Sequence, residues 1–372
     1  MEQAGDKIMA RALALAARGL GRVEPNPMVG AVIVRRGEEI AAGWHRRFGG
    51  PHAERETLAA AREAGRDVRG ATMYVTLEPC CHHGKTPPCV EAIIEAGLAR
   101  VVVAMADPDE KVAGRGIRRL RQAGLDVEVG LCEAEARELL APYVKLRTAR
   151  RPWVICKWAQ TRNGYLALPR GADRWISGVE SRRRVHDLRS CCDGICVGIG
   201  TLLADDPLLT NRSGSGRQPV RLVLDGRLRT PADSRLIQTA SASQPVIVAT
   251  TERALAESSA RAEALGRAGV ELLALPPGAD GRGIEMAALL DELGRRQWTR
   301  LLVEGGAAVL RGVILSKLAD ELWVFVAPRR AQGGGEGLPH LDVAELRGEL
   351  HLPEPAAEPS GADALLRLRL TR

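Results

Sequence analysis

Short apolar runs alternate with helical patterns along the whole chain, and a chain built that way folds into sheets flanked by helices. The alternation runs twice. In the first half, helical patterns cover 6–20, 52–64, 89–97, 114–123 and 133–147, and strand patterns cover 28–34, 39–44, 72–77, 100–105 and 126–129. Arg36-Gly37 between the first two strands predicts a hairpin. Residues 147–152 read RTARRP, a charged stretch ending in a proline that disfavours helix before it. A first domain is therefore expected over 1–147, a linker over 148–152 and a second domain over 153–372. In the second, strand patterns lie at 153–158, 194–199, 220–224, 245–249, 271–275, 300–303, 321–327 and 364–370. Helical patterns lie at 179–189, 252–267, 284–296 and 306–317, and 211–218 (NRSGSGRQ) predicts a flexible loop. Both halves read as α/β, the first as an α/β sandwich.

A chain of 372 residues with 45% hydrophobic content can bury two cores, and with aromatics at 3% those cores must rest on Ala, Val, Leu and Ile. No apolar run reaches the length of about 18 residues that reads as a transmembrane helix. Met1 to Ala10 carries Glu2 and Asp6 and lacks a signal-peptide pattern, so a cytoplasmic location is expected. Lys and Arg number 53 against 46 Asp and Glu, a formal charge of +7. The basic residues are dispersed rather than packed into a tail, which favours a phosphorylated small molecule over nucleic acid. With only 2 Phe and 3 Tyr the chain is also poor in base-stacking rings. No membrane partner is expected, and the oligomeric state stays open, a homo-oligomer included. The 8 Cys read as metal ligands or buried thiols rather than a disulfide framework.

Three of those thiol and imidazole groups form a pattern. His52-Ala53-Glu54 opens a predicted helix after Pro51, and Glu78-Pro79-Cys80 follows a predicted strand. Cys89 heads the next helix. H-x-E followed by P-C-x-x-C marks the zinc deaminases. Here the second Cys falls nine positions after the first, with Cys81 to Pro88 free to bulge between them. Two thiolates and a neutral imidazole suit Zn²⁺ and leave a fourth position for water, whose pKa the metal lowers. Helix N-termini are expected to keep Cys80 and Cys89 as thiolates. Glu54 is read as the proton carrier, not a ligand. Two positions apart, His52 and Glu54 would diverge within a helix and converge only where the chain enters one. A structural zinc site is the plainer alternative. Cys81, His82 and His83 are rival ligands by type, ranked as substrate or neighbouring residues, and Cys132 reads as packing.

The longer motifs Pro25-Asn26-Pro27-Met28-Val29-Gly30, Gly43-Trp44-His45, Pro51-His52-Ala53-Glu54 and Tyr74 through Cys89 closely resemble those of the bifunctional riboflavin-biosynthesis deaminase–reductases. The resemblance covers nearly the whole chain and accounts for the long loop before Cys89. It implies a cytidine-deaminase-like α/β/α sandwich followed by a dihydrofolate-reductase-like α/β domain. It implies zinc and NADPH as cofactors. The implied substrate is 2,5-diamino-6-(5-phosphoribosylamino)pyrimidin-4-one, deaminated by the first domain and reduced at its ribose by the second. By the same resemblance Asn26 contacts the pyrimidine, and His45, His82 and Lys85 contact the rest of the substrate.

In the second domain the resemblance rests on Lys157, Trp175-Ile176, Arg189, Gly198 to Thr210 and Glu304-Gly305-Gly306. It places Gln160, Trp175, Thr201, Asp205 and Gly306 against NADPH, and Gly305 with Gly306 lets backbone amides approach a pyrophosphate. Lys157, Arg189 and Arg212 are expected to hold the ribose phosphate, Asp205 and Glu304 to bind sugar hydroxyls, and Leu209 and Asp173 to lie near the substrate. Three positions depart from the family pattern. Asn163 stands where a carboxylate is usual, Tyr165 where a basic residue is, and Asp173 where a serine is. Two readings follow, a reductase with altered binding or a domain without that activity. A basic RNA-editing deaminase is a third reading of the chain, which a reductase-like second half argues against.

Overall fold

The structure is a computed structural model that describes residues 2–81, 88–168, 175–278, 281, 283–331 and 338–370. The chain divides into two compact units, Met1–Arg150 and Arg151–Arg372. Among the described residues no helix is long and apolar enough to cross a membrane.

The first unit runs α1 (Glu2–Ala16), β1 (Gly30–Arg35), β2 (Glu38–Trp44), α2 (Ala53–Glu63), β3 (Thr72–Val75), α3 (Cys89–Glu95), β4 (Arg100–Val103), α4 (Arg115–Gln122), β5 (Asp126–Val129), α5 (Glu133–Leu139) and α6 (Ala141–Ala149). Its sheet has the order β2-β1-β3-β4-β5. β1 pairs antiparallel with both β2 and β3, while β3, β4 and β5 run parallel. The β1–β2 turn places Arg36 at φ 51° and Gly37 at φ 87°. Two successive left-handed residues match the twist of a tight hairpin. The first helix begins earlier than its periodicity predicts and tightens into a 3₁₀ turn over Ala17–Gly19 before Gly21 at φ 74°. The predicted closing helix is two helices. Pro142 at the start of α6 has no N–H to continue the α5 ladder, and Leu140 leaves helical geometry at ψ 6°.

Small residues set the spacing between layers. A Cβ on Gly30 would lie 2.1 Å from the Ala12 carbonyl oxygen and 2.7 Å from the Ala16 nitrogen, so α1 rests backbone to backbone on β1. That contact brings Met9, Ala12, Leu15 and Ala16 into one core with Ala31, Ile33, Met73, Val75 and Val101.

The second unit runs β6 (Trp153–Gln160), α7 (Val179–Ser190), β7 (Gly194–Gly198), α8 (Ile199–Asp205), β8 (Val220–Leu224), α9 (Arg235–Gln238), β9 (Val246–Thr250), α10 (Glu252–Glu257), α11 (Ser259–Arg267), β10 (Glu271–Ala274), α12 (Met286–Arg295), β11 (Arg300–Val303), α13 (Ala307–Leu315), β12 (Glu321–Val326), α14 (Val343–Leu350), β13 (Ala357–Ser360) and β14 (Asp363–Arg369). The sheet order is β10-β9-β8-β7-β11-β6-β12-β14-β13. Every pairing from β10 through β12 is parallel, and β14 runs antiparallel to β12 and β13. The chain thus winds outward from β7 to β10, then returns to insert β11 between β7 and β6. Strands buried on both faces need continuous apolar sequence, which β7 (GICVG) and β11 (RLLV) supply.

Several second-unit elements were not legible in the periodicity. α8, α9 and α14 are too short to show a helical period, and β13 (AEPS) carries no apolar alternation. The 252–267 helix breaks at Ser258, φ −127° and ψ 41°. The 211–218 segment is pinned, not loose. Buried Asn211 donates to the carbonyls of Ser215 and Arg217 at 2.7 and 3.2 Å, and its own N–H and C=O bond the Gln218 side chain at 2.9 and 2.8 Å.

Gly30→Ala should destabilise the first unit by about 1–3 kcal/mol through overpacking against α1. Calorimetry of the full chain checks this as a lowered transition for that unit.

Candidate active site

The first constellation forms where three chain segments meet. His52 is the residue before α2, extended at φ −73° and ψ 164°, and Glu54 is the second residue of that helix. The change of backbone direction between them lets both side chains reach the same cavity, as their spacing requires. Cys89 is the first residue of α3, after Pro88. Cys80 departs from expectation. It lies in the loop beyond β3 and heads no helix. The helix start that serves it belongs to α3, because the Cys89 N–H donates to the Cys80 sulfur at 3.3 Å.

His52 Nδ1 lies 3.5 Å from the Cys80 sulfur and 3.4 Å from the Cys89 sulfur. Nδ1 and the two sulfurs all sit within 4.8 Å of one another. One imidazole nitrogen and two sulfurs are the donor set of a three-ligand zinc site with an open position. Only one of the two sulfurs is held as a thiolate, so the helix start at Cys89 does not by itself ionise that thiol as expected. The Cys89 thiol and His52 hydrogen-bond the Cys80 sulfur and hold its pKa down to about 4. Donating to that thiolate and being buried push Cys89 well above the usual thiol range. Burial raises the Glu54 carboxyl to about 6, within the range useful to a proton carrier at neutral pH.

The cluster opens on a cavity of about 300 Å³. Asn26 and His45 line it with His52, Glu54 and Cys80. His45 Nδ1 lies 2.8 Å from the Pro51 carbonyl oxygen, which can only accept, so the ring proton is on Nδ1. Nε2 then accepts from Asn26 Nδ2 at 3.4 Å. Burial lowers the His45 pKa and favours this neutral form. His82 and Lys85 lie outside the described residues. Cys132 is remote from the cluster, at the start of α5.

Sequence reasoning missed four residues here. Glu78 is buried, and its carboxylate accepts the N–H groups of Asp107 (3.1 Å), Gly114 (2.8 Å), Gly116 (2.8 Å) and Ile117 (3.1 Å). It therefore fixes the loop carrying Cys80 to the first turn of α4. Asp107, Tyr143 and Arg147 also line the cavity. Nothing beyond its place beside Pro-Cys pointed to Glu78, and a lone Tyr and Arg on a helix gave no signal.

The second constellation lies at the carboxyl ends of the parallel strands. β7 and β11 are neighbours there, and between them the winding direction reverses, the usual place for a cofactor in an open α/β sheet. The Glu304 N–H bonds the Cys196 carbonyl at 2.9 Å. A Cβ on Gly305 would lie 2.9 Å from Val309 Cβ, one on Gly198 2.8 Å from Val309 Cγ2, and one on Gly306 3.4 Å from Thr201 Oγ1. Glycine at 198 and 305 therefore lets the ends of β7 and β11 pack directly against Val309 in the first turn of α13, and the N-terminus of a helix is a general seat for a pyrophosphate.

Beside it, Glu304 binds Arg189 through two bonds of 2.8 Å and faces Lys157 Nζ at 3.9 Å. Arg189 also donates to the Thr210 carbonyl at 3.1 Å, so its fork is committed to the protein. Arg212 is exposed, and its Nε lies 3.3 Å from His186 Nε2. Leu209 turns its side chain inward at φ 52°. Gln160 is likewise spent internally, accepting from Trp158 Nε1 (2.9 Å) and the Val343 N–H (3.1 Å). Trp175 is half-exposed under the Arg182 guanidinium, and Asp205 is exposed at the end of α8. Asp173 lies outside the described residues. Asn163 has a local reason: its Oδ1 accepts the Ala331 N–H at 3.0 Å while its Nδ2 donates to the Ala331 carbonyl at 3.1 Å. A carboxylate could not make the second bond. Tyr165 pairs with His340 across an isolated bridge, ring to ring at 5.0 Å.

Burial alone would raise the Glu304 carboxyl, but the Arg189 and Lys157 charges outweigh it and hold the pKa at about 2. The folded-state value is depressed, so the stabilisation is complete above the ordinary value of 4.5 and is lost as pH falls through about 2. Thermal melts between about pH 5 and pH 2 should show a shallower acid limb in Glu304→Gln than in the wild type.

The comparisons bear on both constellations. Residues 2–105 match the family model of the cytidine and deoxycytidylate deaminase zinc-binding region, and residues 152–347 match the RibD C-terminal domain. The riboflavin biosynthesis protein RibD of Actinobacillus pleuropneumoniae is 39% identical over 365 residues, 96% of this chain and 93% of the relative. RibD of Aquifex aeolicus is 39% identical, covering 96% of each chain. Among solved structures, the diaminohydroxyphosphoribosylaminopyrimidine deaminase/5-amino-6-(5-phosphoribosylamino)uracil reductase of Thermotoga maritima matches with a TM-score of 0.81 at 36% identity over 99% of each chain. Acinetobacter baumannii RibD matches with a TM-score of 0.85 at 33% identity over the whole of each chain. A cytidine-deaminase-like unit that carries a zinc-type donor set, joined to a reductase unit of this kind, places the chain in the RibD family of riboflavin-biosynthesis deaminase–reductases.

Proposed function

We propose that the first unit deaminates 2,5-diamino-6-(5-phosphoribosylamino)pyrimidin-4-one to 5-amino-6-(5-phosphoribosylamino)uracil, and that the second reduces the product's ribosyl group to a ribityl chain. The observation that carries the first step is the His52 ring placed against both sulfurs, with Glu54 buried on the wall of the same cavity. His52, Cys80 and Cys89 would hold zinc, whose Lewis acidity would make water nucleophilic near neutral pH. Water adds its oxygen to the ring carbon bearing the 2-amino group, and that carbon's bond to nitrogen breaks to release ammonia. Glu54 takes the water proton, passes it to the adjacent ring nitrogen, and assists departure of the amine. Asn26 and His45 bind the substrate from the cavity wall, and His45 in its Nδ1–H form keeps Asn26 in place. His82 and Lys85 are assigned to the substrate's phosphoribosyl end by family resemblance.

In the second unit Gly305, Gly306 and Thr201 would seat NADPH, which would supply the hydride, and Trp175 and Asp205 are assigned to its remainder. Lys157 and Glu304 would face the sugar, and Arg189 holds Glu304 in place. Arg212, outside that pair, is the cation assigned to the phosphate.

Purified enzyme given the diaminopyrimidine phosphate, with and without NADPH and followed by mass, tests both steps. The deaminated product should accumulate without NADPH and be reduced when it is added. Glu54→Gln should retain zinc and lose at least about 100-fold in ammonia release, the lower end expected for a missing proton carrier. Lys157→Ala should slow NADPH oxidation and leave ammonia release intact.

A further inference from the structure

Helix α6 contributes to the deaminase cavity in a way that the zinc cluster does not explain. Tyr143 and Arg147 stand one turn apart on it and share a face. Both line the cavity, together with Asp107 and Asp109 from the loop between β4 and α4. The Tyr143 hydroxyl donates to the Asp107 carboxylate, 3.0 Å from Oδ1 and 3.2 Å from Oδ2. Asp107 Oδ1 also accepts the Asp109 N–H at 2.9 Å. Arg147 places its Nε 3.5 Å from Asp109 Oδ2, and its Nη2 donates to the Pro25 carbonyl at 3.3 Å. Its guanidinium carbon lies 5.1 Å from the centre of the Tyr143 ring.

One helix face therefore grips two segments that are distant in sequence. One carries Asp107 and Asp109, and the other carries Asn26 directly after Pro25. Packing does not account for the polar atoms. A phenylalanine would fill the space of the Tyr143 ring without reaching Asp107, and an aliphatic chain would cover Tyr143 without binding either segment. At its root the same loop is fixed by Glu78, through the Asp107 and Gly114 N–H groups. The α6 pair adds bonds at its middle, where Asp109 also accepts the Lys111, Val112 and Ala113 N–H groups.

We propose that Tyr143 and Arg147 are positioning residues for deamination, setting the separation of the Asp107–Asp109 and Pro25–Asn26 segments so that the cavity accepts the pyrimidine ring. The inference rests on the deaminase reading given above. Because the bonds of the pair run to Asp107, Asp109 and Pro25, the pair governs substrate affinity and leaves the chemical step largely untouched.

Steady-state ammonia release by full-length, zinc-loaded Tyr143→Phe and Arg147→Met tests it. Losing a hydrogen bond or ion pair to a carboxylate is worth roughly a tenfold change, so KM should rise about tenfold in each variant. In both, kcat should stay within roughly twofold, the pattern of lost uniform binding. Asp109→Asn added to Arg147→Met removes the charge left unpaired and should recover part of the KM, a coupling that a general loss of stability would not produce. Hydrogen exchange of the 107–112 amides should accelerate in both single variants, with zinc content equal to wild type. Unchanged KM in active variants, or kcat falling with KM constant, overturns the positioning role. If the wild type itself releases no ammonia, the deaminase reading fails instead. Exchange at 107–112 then decides the grip of α6 alone, and unaltered protection in both variants overturns it.

Discussion

The charge on the Cys80 sulfur is the contact on which the first unit's chemistry depends. Cys80 lies in a loop with no helix of its own, so its environment must be brought to it. His52 arrives from the start of α2, and Cys89 brings both a thiol and a backbone N–H from the start of α3. Two residues upstream, Glu78 fastens the same loop to α4 through backbone N–H groups. Gly116 makes that possible, since a Cβ there would fall 2.1 Å from the Pro79 carbonyl oxygen. The donor geometry is thus fixed in part by Glu78 and Gly116, which carry no metal-binding role themselves. A site supported in this way keeps its shape while protons move within it.

Much of this was readable in the sequence, and for a definite reason. His52, Glu54, Cys80 and Cys89 carry information through their combined placement at helix entries and after strands, whereas His-x-Glu alone would say little. Gly37 in the hairpin and the apolar runs of β1, β7 and β11 are equally direct, because turn sterics and burial act locally. What stayed hidden depends on tertiary contact. Glu78 is one carboxylate among many until the fold brings four N–H groups to it. Tyr143 and Arg147 read as an ordinary helix face. Gln160 and Leu209 lie within family-like segments, yet the fold turns their side chains to internal bonds and packing. Asn163 reads as a lost carboxylate until its two bonds to Ala331 show why an amide is there.

The second unit shows how a charged site can be buried without collapse. Glu304 would resist ionisation in that setting, and two cations overcome the resistance. The arrangement leaves Lys157 inside the protein with a counter-charge nearby, while Arg189 is occupied in holding that counter-charge. Polar groups kept this way are costly to assemble but stiff once assembled.

The order of strands has a consequence for how this crevice comes into being. Its floor joins β6, β7 and β11, yet β11 is separated from β6 by well over a hundred residues and is threaded between strands that precede it. During synthesis, β6 and β7 must wait with facing edges unpaired until residues 300–303 emerge. A nascent chain halted before that point has the lysine but neither its carboxylate partner nor the glycine pair that follows, so the hydride-transfer half is incomplete until those residues have been made.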